Sequence, residues 1–261
     1  MHTDPIQLII ERKEGPEEKV IPIGSVSCAR FSSRDLEATR KELDDMIAEE
    51  GRYTAACLTN PSICRIARYL LTQDAEFDVQ GSLTGGEGEF VVIRNGAEVF
   101  ISVGSDQCDR EIDGIFPDKP KQMCPHPMAR TAWPYEEVRD HWDSLRIHSE
   151  ITCRGRTVTL QDASISELVD CEYLLAMESV QALPDPMFLF GGATEFVPTL
   201  EDEVLRLGLP EMTCHGVGDS FMVQLIDPVL DRTISHKFSA IPLGDDYNER
   251  KDRGEQRAPH H

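Results

Sequence analysis

Hydrophobic and polar residues alternate along this chain in short runs, a pattern that predicts many strands and few helices. Residues 6–10 and 20–23 read as two strands around the polar turn Glu14-Gly15-Pro16-Glu17. Leu36, Leu43, Met46 and Ile47 follow at helical spacing. They predict a helix that begins near Ser32-Ser33, whose hydroxyls can accept the unpaired first-turn amides, and that stops at Gly51. Residues 53–79 are mixed: Asn60-Pro61 breaks the pattern, and 66–71 is a short apolar run, strand or helical turn.

The stretch around which the chain is organised is residues 85–106, after the Gly-rich loop Gly81-Ser82-Leu83-Thr84-Gly85-Gly86. It reads as two strands joined by Asn95-Gly96, the dipeptide best suited to a type I′ turn. The loop precedes a strand and lacks the lysine and helix of a phosphate-cradling loop, so it serves close backbone approach instead.

Downstream, 114–127 is a proline-dense loop, and 135–142 a helix with Pro134 at its start. Residues 145–153 and 157–160 alternate as strands around Arg154-Gly155-Arg156. Residues 164–177 predict a second long helix opened by Ser166-Glu167, with Leu168, Leu174 and Leu175 as its contacts. Phe188–Phe190 is a short buried strand ending in Gly191-Gly192-Ala193-Thr194, and 221–226 and 233–241 form a last hairpin around Asp227-Pro228. Many short strands with two or three helices make a strand-dominated α+β domain. Residues 1–51 are expected to be a small hairpin-plus-helix appendage, 52–244 the main domain, and 245–261 a charged, disordered tail.

With Asn95-Gly96 as the turn, Glu89 falls opposite Ser102 and Glu87 opposite Gly104. Side chains alternate faces along a strand, so Glu87 and Glu89 share one face, and Asp106 emerges on it diagonal to Glu87. Two charges about 4 Å apart repel by roughly 4 kcal/mol at an effective dielectric near 20. Two readings follow. The carboxylates point into water at a strand end, with Asp106 capping a turn. Alternatively they hold a hard divalent cation, Mg²⁺ first, then Mn²⁺ or Ca²⁺, which all-oxygen sites suit.

Composition narrows the function classes. The net charge of −21 argues against a nucleic-acid or anionic-membrane surface, though not against a small anionic substrate in a locally positive pocket. No apolar run is long enough to cross a bilayer, and Met1-His2-Thr3-Asp4-Pro5 lacks the basic-then-apolar order of a secretion signal. The eight cysteines have neither Cys-x-x-Cys nor zinc spacing and read as reduced thiols, with a cytoplasmic location expected.

Three segments then carry a resemblance. Ser105-Asp106-Gln107-Cys108-Asp109-Arg110-Glu111-Ile112 resembles the Asn-Asp-x-Ser-Ala-Arg-Asp-hydrophobic-Gln segment of the fumarylacetoacetate hydrolase superfamily. Glu87-Gly88-Glu89 before an apolar strand is similar to that superfamily's Glu-x-Glu, and Lys121-Gln122-Met123-Cys124-Pro125 stands where it has Gly-Lys-Ser-Phe-Asp. The resemblance covers roughly residues 55–240 and is to an uncharacterised branch. It implies a mixed β-sandwich roll, usually a homodimer.

It also implies roles. Glu87, Glu89 and Asp106 would be Mg²⁺ ligands, and Lys121 and Arg110 would face a substrate carboxylate or oxyanion. Asp113 and Thr194 would touch substrate, although Asp113 replaces the family's usual glutamine and Ala193 holds the strict register of its Gly-Thr segment. The superfamily's hydrolases use a His–Glu pair, which has no counterpart between Gln7 and Gly81. His126 is the nearest histidine to the motifs, with His141 and His215 behind it; a Cys–His nucleophile would need Cys108 or Cys124. The activity implied is metal-dependent hydrolysis of a carbon–carbon bond in a small 2-oxo acid or 1,3-dicarbonyl compound through a metal-bound enolate. A lyase or isomerase on the same metal site, or a non-catalytic metal- or ligand-binding module, are the alternatives.

Overall fold

The hairpin at the centre of the sequence is also the centre of the fold. In the computed structural model, which describes residues 4–50, 60–112, 118–207 and 216–243, its strands are β7 (Thr84–Asn95) and β8 (Glu98–Asp109). Before them run β1 (Ile6–Arg12), β2 (Gly15–Ile21), β3 (Ser25–Arg30), α1 (Leu36–Glu50), β4 (Ser62–Ile66), β5 (Leu71–Thr72) and β6 (Glu76–Val79). After them come β9 (His126–Pro127), β10 (Thr131–Pro134), α2 (Tyr135–Val138), β11 (Arg146–Cys153) and β12 (Arg156–Ser164). The chain closes with α3 (Cys171–Ala176), α4 (Glu178–Gln181), β13 (Met187–Ala193), α5 (Leu200–Arg206), β14 (Ser220–Asp227) and β15 (Arg232–Pro242).

An eight-stranded sheet has the order β2-β1-β10-β8-β7-β13-β3-β4, a five-stranded sheet the order β12-β11-β14-β15-β6, and β5 pairs with β9. This is the strand-dominated α+β architecture expected. Alternation along β7 feeds two cores. Phe90 and Val92 meet Ile147, Val223 and Leu225 of the smaller sheet, with Trp142 edge-on to Phe90 at 5.2 Å. Val91 and Ile93 face the other way, into an interior shared with Leu8, Ile10, Val26, Met128 and Phe190, around which the large sheet rolls.

Three local expectations change. Strand β3 was not legible as a strand, yet it lies between β13 and β4, and β1–β2 pair onward through β10 to β8. The segment set apart as an appendage therefore shares the sheet of the central hairpin. Helix α1 starts later than expected, at Leu36: Asp35 Oδ1 accepts the Ala38 N–H at 2.9 Å, while Ser33 Oγ accepts the Asp35 N–H at 3.3 Å. The side chains of Met46 and Ile47, the end at Gly51 and the tail at 245–261 lie outside what is described.

The single helix expected over 164–177 is interrupted. Residues 167–169 pair with 32–34 instead: Arg34 N–H donates to Glu167 O (2.7 Å) and Val169 N–H to Ser32 O (2.8 Å). Helicity restarts at α3, where Asp170 Oδ1 accepts the Tyr173 N–H at 2.7 Å. Among the described residues, six cysteines are free thiols, and no helix is long and apolar enough to cross a membrane.

Candidate functional site

The central hairpin turns one step later than Asn95-Gly96 suggests. Asn95 pairs with Glu98, so Gly96 and Ala97 form the turn, and Gly96 (φ +63°) alone of the two takes positive φ, as a II′-like rather than I′ turn does. The register therefore shifts by two. Glu87 faces Asp106 directly, and Glu89 faces Gly104. A shift of two keeps every side chain on its expected face, so the three carboxylates still converge. They stand on the face that also bears Val91 and Ile93, at the mouth of the roll above its apolar interior. The pocket there holds about 440 Å³.

Each carboxylate is answered by a group of the chain itself. Arg110 Nη2 donates to Glu87 Oε1 at 3.2 Å, in a pair still reached by water. The Gly192 N–H donates to Glu89 Oε2 at 2.9 Å. Lys121 Nζ forms an ion pair with Asp106 Oδ2. Burial pushes Asp106 up, but its neighbours, the Lys121 ammonium first among them, together outweigh it and hold the carboxyl well below the usual range. Burial likewise opposes the charge on Lys121, but Asp106 first and the groups around it, Glu89 among them, together more than restore it, so the ammonium is held above its ordinary value. Glu89 is the strained member: burial first and repulsion from Asp106 second push its carboxyl well up, and Lys121 relieves only part.

His126 lies behind this floor and does not line the pocket. Its Nε2–H donates to the Lys121 carbonyl at 2.7 Å, which leaves Nδ1 to accept the Gln107 N–H at 3.3 Å. Nδ1 is also 3.1 Å from Asp106 Oδ1, but in that tautomer it has no proton to offer, and Asp106 Oδ1 is buried without a hydrogen-bond partner. His126 thus braces the Lys121 segment against β8. Thr194 also turns away from the pocket; its carbonyl and hydroxyl face Gln161, while Gly192, Ala193 and Glu195 line the wall. His141 is bound to Asp227, remote from the motifs, at 3.0 Å. Cys108 lines the pocket and Cys124 is buried, its thiol pushed up by desolvation. Asp113 and His215 lie outside the described residues.

The pattern of the chain gave no hint of a whole wall of the pocket. Arg30, Phe31, Ser32, Ser33 and Thr39 line it, contributed by the end of β3 and the first turns of α1. Phe31 is held at φ +54°, a costly conformation for an aromatic residue, and the chain turns over the pocket there. Arg30 reaches Asp118 at 3.0 Å. Only knowledge that Ser25–Arg30 is a strand beside β13 would have brought this segment to the site.

Among the described residues, no three His, Cys, Asp or Glu side chains already stand in the arrangement of a metal site. The chemistry of the donors nonetheless fits a hard divalent ion. They are all carboxylate oxygens, two of the three side chains are almost fully buried, and Asp106 Oδ1 is an orphaned buried acceptor among them.

A family model described as "Protein of unknown function (DUF2848)" matches residues 29–238, which takes in both the pocket wall and the hairpin. The chain belongs to that family. No curated protein matches this DUF2848 member. Solved structures do match its fold. Cg1458 aligns at 12% identity over 86% of this chain and 80% of that one, with a TM-score of 0.57. The apo form of 2-keto-3-deoxy-D-arabinonate dehydratase aligns at 14% identity over 86% and 76%, with a TM-score of 0.54. The fold of this DUF2848 chain is accordingly of the fumarylacetoacetate hydrolase type.

Proposed function

We propose that this chain is an enzyme acting on a small, anionic 2-oxo acid, and that its reaction is a lyase elimination. The observation that carries the reading is Lys121, an ammonium held charged beside Asp106 at the base of a pocket floored by Glu87, Glu89 and Asp106. A lysine so held is no nucleophile, because Schiff-base chemistry needs the neutral amine. It is well suited to stabilise an oxyanion that forms at the substrate's 2-oxo group. Glu87, Glu89 and Asp106 would hold Mg²⁺, which supplies a Lewis acid for two substrate oxygens when bound.

Arg110 lies beside Glu87 and would pair with the substrate carboxylate, since its planar fork matches that group. Ser32, Ser33 and Thr39 offer hydroxyls along the pocket wall, suited to a substrate that itself carries hydroxyls. Glu195 lines the pocket outside the acidic floor and would accept the C3 proton. The C3–H electron pair then moves toward the 2-oxo oxygen beside Lys121. Its return restores the 2-oxo group and forms a C3–C4 double bond as the C4–O bond breaks, and the departing hydroxide takes the proton from Glu195 and leaves as water. A dehydratase of a 2-keto-3-deoxy sugar acid among the fold's neighbours supports elimination over hydrolysis.

The test is product analysis with Mg²⁺ over a panel of 2-oxo acids with and without a C4 hydroxyl. Water release with an intact carbon skeleton supports the reading. Two organic fragments would instead establish carbon–carbon hydrolysis, and Mg²⁺-dependent binding without turnover a binding module.

A further inference from the structure

The interface between the two sheets is apolar around Phe90, Ile147 and Val223, yet Gln161 of β12 is fully buried in it. A buried amide is costly unless its donors and acceptors are all used. Here they are. Oε1 accepts the Gly88 N–H at 2.7 Å and the Ser149 hydroxyl at 2.6 Å. Nε2 donates to the Gly88 carbonyl at 3.2 Å and the Thr194 carbonyl at 3.1 Å, with Thr194 Oγ1 at 3.3 Å. The orientation of the amide is dictated by its partners, because a backbone N–H only donates and a carbonyl only accepts.

Gly88 is reachable because the sheet is irregular beside it. Strand β7 pairs with β13 through Val91–Phe190, and the register shifts before pairing resumes at Glu89–Ala193. Gly191 and Gly192 make up the difference, freeing the Gly192 N–H for the Glu89 carboxylate. Gln161 takes both the N–H and the carbonyl of Gly88, as a neighbouring strand would. Only glycine fits at 88: a Cβ there would lie 2.7 Å from Val223 Cγ2 and 3.0 Å from Gln161 Oε1. Its two neighbours, Glu87 and Glu89, consequently face the pocket on the opposite side of β7.

We propose that Gln161 is a positioning residue of the pocket. Acting from the other sheet, it fixes the Gly88 peptide and the start of the Thr194 segment, and so sets the spacing and direction of Glu87, Glu89 and the Gly192 amide. Gln161 itself touches no ligand. The inference rests on the reading of Glu87 and Glu89 as a ligand-holding pair.

The experiment uses the full chain with Gln161→Met, Gln161→Glu and, as a control that loosens the same interface without touching Gly88, Val158→Ala. Mn²⁺ affinity is measured by electron paramagnetic resonance, beside Tm and Gly88 amide exchange. Gln161→Met should weaken Mn²⁺ binding about tenfold or more, as loss of an outer-shell partner does, while Val158→Ala binds as wild type whatever its Tm. Gln161→Glu keeps an acceptor for the Gly88 N–H but loses the donor, and should fall between them. Wild-type affinity in Gln161→Met overturns the proposal, as does a loss that follows Tm equally in Val158→Ala. Should wild type bind no Mn²⁺, the metal reading fails separately, and amide exchange decides. Faster exchange at Gly88 in Gln161→Met with none at Ile93 supports the clasp, and unchanged exchange overturns it. If Gln161→Met does not fold, Gln161→Glu carries the same comparisons.

Discussion

Lys121 and Asp106 meet where both side chains are shielded from water, at 12% and 2% exposure, so each is the counter-ion that lets the other stay charged. Removing one partner of such a pair is much worse than never having had it, since it strands a buried charge. Lys121→Met should therefore destabilise the fold by about 3–5 kcal/mol at pH 7, measured by urea unfolding, and abolish turnover. The pH limits follow from the shifts. Asp106 is lowered in the fold, so its contribution is present above about pH 3.9 and lost as pH falls through the folded value. Lys121 is raised, so its contribution is present below about pH 10.4 and lost as pH rises through the folded value. Between those limits the pair's stabilisation should be flat.

Glu89 has the opposite sense. Its folded value is raised, so stability is fully present below about pH 4.3 and declines as pH rises through the folded value. Glu89→Gln removes a buried charge and can keep the bond from Gly192 through its amide oxygen. The variant should be more stable than wild type at pH 8, with the difference vanishing toward pH 4, while metal binding and activity fall by orders of magnitude. A Glu89→Gln protein that is less stable than wild type at pH 8, or fully active, contradicts the assignment.

Gly192 sits at φ +107°, and a Cβ there would lie 1.7 Å from Ser32 Oγ. Gly192→Ala should cost at least about 1–3 kcal/mol for the backbone strain alone, and should withdraw the amide from Glu89. Pairing it with Ser32→Gly should recover part of the Tm by removing the clash, but not the part due to φ. Full recovery in the double variant would show that the left-handed backbone carries no strain.

Arg110 and Glu87 stay in contact with water, at 19% and 33% exposure, so their pair contributes little to stability. Arg110→Gln should change unfolding free energy by no more than about 1 kcal/mol. The same variant should raise KM for a 2-oxo acid about tenfold or more, as expected where a bidentate partner of a carboxylate is lost. A large loss of stability with unchanged KM would assign Arg110 a structural role.

The hairpin was legible because the apolar run 90–93 and the apolar residues within 99–103 flank a glycine turn. Its pairing was misjudged by two because Asn-Gly is an equally good start for a turn that continues into Ala97. Faces survived that error, and so the three acids were brought together correctly. Strand β3 was missed because Ser25-Val26-Ser27-Cys28-Ala29-Arg30 is mostly small residues whose burial, on both faces, comes from β13 and β4 rather than from its own pattern. Arg30 and Ser32 went with it. The helix expected at 164–177 looked continuous because Leu168, Leu174 and Leu175 are apolar at helical spacing; bridges between 167–169 and 32–34 claim the backbone around Leu168 instead. Nothing local to Gln161 announces its role, which exists only once two distant sheets are stacked.

The irregular step between β7 and β13 divides that pair of strands into two halves. Below it, pairing runs without a break from Arg94–Met187 to Val91–Phe190; at the step the Gly192 N–H is tied to the Glu89 side chain rather than to a strand, before pairing resumes at Glu89–Ala193. A ligand that engaged the Glu89 carboxylate would therefore compete with the Gly192 N–H, one bond of the irregular step, and leave the rungs beneath untouched.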